Sequence, residues 1–160
     1  MIRALIPLAA AAALLAACSN EPRAASEGPQ AAVAATGALC RPTPVGRQAT
    51  GCYVTLTSTA ADRLVSVSTP VAGRVEIHES KVESNMMMMR ELTEGLSLPA
   101  GQAVELKPGG NHIMLLAVAN PLTEGQTIPL TLNFAAAEPV TVQATIGQPP
   151  VNEYGTQTGH

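Results

Sequence analysis

"LKPGGNHIMLLAV", residues Leu106 to Val118, sets a turn directly against a strand. Pro108 pre-sets its φ angle and Gly109 and Gly110 accept conformations closed to other residues, so the three together reverse the chain. In the strand that follows, successive side chains point to opposite faces. His112 and Met114 therefore share one face, and Ile113 and Leu115 share the other. A short alternating strand launched from a tight turn is the building unit of an antiparallel sheet.

The same unit recurs on both sides of it. "YVTLTST", "RLVSVST", "IPLTLNF" and "VTVQATI" alternate apolar and polar residues, and "TPVAG", "LPAG", "NPLTEG" and "AAAEP" separate them as turns. With no Trp, one Phe and two Tyr in the chain, a core must be built from Val, Leu, Ile, Ala and Met. No segment has the 3.6-residue periodicity of an amphipathic helix. Short strands with turns every ten residues or so predict an all-β protein, an antiparallel sandwich or barrel.

A second stretch bears on chemistry. "HESKVESNMMMM" runs from His78 to Met89 and ends in four consecutive methionines. Methionine commonly fills gaps in cores, but four in a row on a strand cannot all point inward. Met87 and Met89 share one face and Met86 and Met88 the other, so at most one pair can meet His112 and Met114. Met86 and Met88 are expected in the core, and Met87 is a possible alternate to Met89. Thioether and imidazole are soft and borderline donors that select Cu(I), whereas Mg and Ca want carboxylates and carbonyls. Zinc fits less well, since it prefers His, Cys and carboxylate. No Ser/His/Asp or paired-carboxylate arrangement can be picked out, so no enzyme is expected.

The ends of the chain place it outside the cytoplasm. Residues 1–17 carry Arg3, an apolar run and then small residues, the pattern of a secretory signal. Leu15, Ala16, Ala17 and Cys18 resemble a bacterial lipobox, which implies a lipoprotein signal peptide over 1–17 and acylation of Cys18. Residues 18–39 read as a flexible tether and 147–160 as a disordered tail, leaving 40–146 as the folded domain. Cys40 and Cys52 flank "RPTPVGRQATG" and, in an oxidising compartment, are expected to form a disulfide between adjacent strands. A net charge of −3 without a basic block gives no reason to expect nucleic acid as a partner.

From about Arg41 to Ile146, the combination "RVEIHES...MMMMRELTEGLSLPAGQAVELKPGGNHIMLLAVANPLTEGQTIPLTLNF" resembles the periplasmic copper chaperones of the PCuAC family (DUF461-type). That family's motif is a His, ten residues, a Met, about twenty-one residues and then His-x-Met. Here ten residues separate His78 from Met89 and twenty-two separate Met89 from His112, with Met114 completing the set. The extra residue falls within reach of the turn at "LTEGLSLPAG", and Glu79 stands where many members have a Met after the first His. The resemblance implies a cupredoxin-like antiparallel β-sandwich of Greek-key type that binds Cu(I) through His78, Met89, His112 and Met114. It further implies a monomeric chaperone delivering copper for cytochrome c oxidase assembly, its partner being the copper-bearing oxidase subunit or its assembly factors. A copper-sequestering resistance lipoprotein without a dedicated acceptor is the alternative. The lipid anchor would hold it in the periplasm, with Ser19 favouring the outer membrane over the inner.

Overall fold

The computed structural model describes residues 31–150. The stretch read as a signal peptide (1–17), Cys18 and residues 151–160 of the expected tail (147–160) lie outside the described residues. Ten strands and no helix occur among the described residues: β1 Val33–Cys40, β2 Ala49–Ser58, β3 Asp62–Ser68, β4 Ala72–Glu83, β5 Met86–Glu91, β6 Leu96–Leu98, β7 Ala103–Leu106, β8 Asn111–Val118, β9 Thr127–Phe134 and β10 Val140–Ile146. They form one hydrogen-bonded path in the order β5-β4-β8-β2-β1-β10-β9-β3-β6, with β7 added to β2. Neighbours along the path are antiparallel except that β1 runs parallel to β10.

The path must curl back on itself. β3 and β4 lie far apart along it, yet only Thr69, Pro70 and Val71 join them. The inward faces of β2, β4 and β8 consequently share one core with those of β3, β9 and β10. In β2 every second residue is buried, from Thr50 through Cys52, Val54 and Leu56 to Ser58, and in β9 Ile128, Leu130, Leu132 and Phe134 follow the same rule. The result is the mostly antiparallel all-β architecture expected from the alternating segments, in the cupredoxin-like form that the family resemblance implies.

Strand β1 begins at Val33, within the stretch expected to be a tether up to residue 39. Its sequence, VAATGALC, is built from small residues, which carry little apolar signal. Backbone pairing to β2 on one side and β10 on the other makes it a strand. In "RLVSVST" the alternation also breaks: Leu64 and Val67 are buried while Val65 and Ser66 are exposed. A register shift between Leu64 and Ser66 against β9 accounts for the extra outward residue.

Cys40 and Cys52 are register partners on β1 and β2 and are joined by a disulfide, with Cα atoms 4.0 Å apart. Both are fully buried. At the start of β3, Asp62 accepts hydrogen bonds from the backbone N–H groups of Ala136 and Ala137, 2.9 Å each, and so ties β3 to the turn between β9 and β10.

Candidate metal site

The outer face of the β4–β8 pair carries the soft donors. Ile77 pairs with Ile113 toward the core, so their neighbours His78 and His112, also register partners, are placed together on the opposite face. The two rings lie edge to face with centroids 5.7 Å apart. One step along, Met114 pairs with Glu76 on that same face.

Hairpin geometry brings in the methionines. Ser84 and Asn85, with φ of 49° and 62°, form a two-residue turn, and both residues in left-handed conformation is the signature of the hairpin turn matching strand twist. This sets Glu83 opposite Met86, and counting back sets Val82 opposite Met87 and Ser80 opposite Met89. Ser80 lies two residues from His78, so Met87 and Met89 share the histidine face while Met86 and Met88 take the other. On that other face, Glu79 accepts from Arg90 at 2.7 Å and pairs with neither histidine.

Met86 and Met88 are not in the core. They are 62% and 47% exposed, and Met87 and Met89 are as open at 59% and 55%. Parity places the pairs on opposite faces, but β5 is the terminal strand of the path, paired on one side only, and all four side chains stay about half exposed. Methionine's apolarity suggests burial, whereas the position of the strand decides against it.

Met89, His112 and Met114 line one depression of about 220 Å³, together with Ser80, Arg41 and Tyr53. Gly51, the register partner of Met114, carries no side chain there, and the Tyr53 hydroxyl takes up that space, 3.2 Å from where a Cβ would stand. His78 does not line the depression but abuts its His112 wall through the ring contact. Met87 is on the same face, farther out along the hairpin. A larger concavity of about 450 Å³, between Pro70–Val71 and Pro121–Leu122, is lined by no imidazole, sulfur or ionisable side chain.

Each imidazole has one nitrogen engaged by an acceptor. His112 donates Nδ1–H to the Gly110 carbonyl at 2.9 Å, leaving Nε2 with a free lone pair. His78 places Nε2 2.8 Å from the Glu76 carboxylate, and its Nδ1 is buried without a partner. An unpartnered buried nitrogen is costly in an apolar setting and useful to a metal. Burial pushes the His112 imidazole below its ordinary pKa; the Gly110 carbonyl opposes this and nearby His78 reinforces it. Tyr53 is raised by burial, an effect Arg41 partly offsets. No group of three or more His, Cys, Asp or Glu side chains able to hold a metal occurs among the described residues. The donors that stand beside the imidazoles are the thioether sulfurs of Met89 and Met114, which suit a soft ion.

A sequence signal for Glu76 existed only in part. Its place two residues before His78 puts both on one face, but alternation alone does not tell a hydrogen-bonding partner from a solvated carboxylate.

Residues 33–146 match the family described as "Putative lipoprotein LpqE-like". Among curated proteins, "Putative lipoprotein Lxx21020" of Leifsonia xyli subsp. xyli is 36% identical over 81 residues, a stretch spanning 49% of this chain and about half the length of that relative. The solution structure of apo-DR1885 from Deinococcus radiodurans superposes with a TM-score of 0.56 at 25% identity, covering 93% of this chain and 98% of that one. Its CuI form gives 0.52 at 26% identity over 76% and 80%. A copper-bound PCuAC domain from PmoF2 gives 0.61 at 23% identity over 73% and 93%, a likeness of fold. The chain thus belongs to the LpqE-like lipoprotein family and carries the all-β fold of the PCuAC domains.

Proposed function

We propose that this protein is an extracytoplasmic Cu(I) chaperone that holds copper through His78, Met89, His112 and Met114. The observation that carries the reading is the pair of facing imidazoles on adjacent strands, each with one nitrogen occupied by an acceptor and the other without a protein partner. Met114 beside them and Met89 across the depression complete a donor set of two nitrogens and two sulfurs, suited to Cu(I). DR1885, similar in fold, has a solution structure in a CuI form, which supports the same chemistry. Exposure suits transfer: Met89 stands at the rim and can be exchanged for an incoming ligand while the buried histidine retains the ion.

Delivery to the copper-bearing subunit of cytochrome c oxidase, or to its assembly factors, is the acceptor step of this proposal. Anchoring through Cys18 in the periplasm is its location, in keeping with the lipoprotein description of the family. Anaerobic titration of the full chain with Cu(I) against a competing chelator should give one tight equivalent, and failure to compete would end the copper reading. Loss of the gene should lower oxidase activity. A fall in copper tolerance with normal oxidase would replace the chaperone with a sequestering lipoprotein.

A further inference from the structure

Glu76 is held on both carboxylate oxygens by residues of its own strand. Arg74 Nε donates to Oε1 at 2.9 Å, and His78 Nε2 lies 2.8 Å from Oε2. Positions 74, 76 and 78 alternate onto one face of β4, so the three side chains form a short row ending at the metal-site histidine. Arg74 is mostly exposed, whereas Glu76 and His78 are 14% and 15% exposed. A carboxylate so shielded holds a hydrogen bond more firmly than one in open solvent.

A carboxylate accepts and cannot donate. The His78 nitrogen facing it must therefore carry the proton, which in the neutral ring leaves Nδ1 as the lone-pair nitrogen. That atom is the buried one without a partner. His112 is arranged in the opposite sense, its Nδ1–H given to Gly110 and its Nε2 free. The two rings thus present different nitrogens, and each choice is made by an acceptor outside the donor set.

We propose that Glu76 is a positioning residue of this site: it holds His78 in the Nε2–H tautomer and so makes Nδ1, rather than Nε2, the nitrogen offered to the metal. Arg74 in turn fixes the carboxylate. The inference rests on the Cu(I) reading for its purpose, but the tautomer itself exists without metal. Acceptors of this kind orient ligating imidazoles and raise their basicity, and their removal commonly costs ten- to a hundredfold in metal affinity.

The test uses the metal-free full chain, with ¹⁵N long-range NMR of the histidine rings under alkaline conditions. His78 should show a protonated Nε2 and bare Nδ1, and His112 the reverse. A proton on Nδ1 of wild-type His78 would overturn the proposal without any variant being made. Glu76→Leu should scramble the His78 tautomer and weaken Cu(I) binding ten- to a hundredfold, while Glu76→Gln, whose amide oxygen accepts the same N–H, should keep the tautomer and most of the affinity. Wild-type Cu(I) binding unaltered in Glu76→Leu would overturn the positioning role and leave the copper reading standing. Wild-type protein that binds no Cu(I) would overturn both.

Discussion

At the scale of single residues, the methionine run is the sharpest probe because chemistry and volume can be separated in it. Leucine keeps size and apolarity but removes sulfur. Met89→Leu and Met114→Leu should each weaken Cu(I) binding at least tenfold, about 1.4 kcal/mol, in chelator competition. Since Met89 is exposed and Met114 partly so, thermal stability should barely move. Met86→Leu and Met88→Leu should alter neither quantity, as they lie on the face away from His78 and His112. Met87→Leu should produce a smaller loss, its side chain being on the ligand face but one pleat farther out. Acid acts on the same site: protonation of an imidazole removes its lone pair, so copper should leave as pH falls. Burial holds the His112 pKa down, which delays its protonation and moves its share of the release below the usual histidine range of about 6.5. A chelator-competition series from pH 8 to 5 would record this as a falling affinity. Affinity flat across that range would remove the imidazoles from the ligand set.

Elements place these residues, and Asp62 shows how. Burial raises its carboxyl pKa, but hydrogen bonds from Arg63, Ala137, Ala136 and Ala135 outweigh this and leave it below its ordinary value. The native state therefore binds its proton less readily than the unfolded chain. Its contribution to stability is complete above the unfolded value of about 3.9 and lost as pH falls through the lower folded one. Asp62→Ala should lower stability by about 1 kcal/mol at neutral pH and, in urea unfolding, remove that part of the acid sensitivity below about pH 4. An unchanged midpoint would mean that the β9–β10 turn holds its shape unaided. Much of this element-level structure was legible in the sequence. Pro108-Gly109-Gly110 sets the parity of β8, and with it the common face of His112 and Met114; the alternation of "IPLTLNF" was equally plain. Strand β1 was hidden because Ala, Gly and Thr carry little hydrophobic contrast, and pairing on both flanks comes from tertiary structure. The exposure of Met86 and Met88 was hidden for a related reason. Apolarity cannot distinguish a central strand from an edge, and β5 is an edge.

For the whole molecule, the disulfide and the site are neighbours in construction. Cys52 pairs with Ile113 and Gly51 with Met114 across β2 and β8, so the strand that carries the bridge also supports the strand that carries two of the proposed ligands, His112 and Met114. Closing a loop with sequence separation 12 is worth about 3 kcal/mol in the chain-entropy model. In protein taken from an oxidising compartment, Cys40 and Cys52 should resist alkylation until reduced, and reduction should lower its unfolding free energy by about that amount. Free thiols at Cys40 and Cys52 in freshly isolated protein would instead make sulfur of another kind available for copper. X-ray absorption at the copper edge of the Cu(I)-loaded full chain tests the proposed ligand set most directly. A mixed shell of two imidazole nitrogens and two thioether sulfurs is expected, with one sulfur lost in Met114→Leu. A shell of nitrogen and oxygen alone, or one whose sulfurs vanish only when Cys40 and Cys52 are replaced, would contradict it.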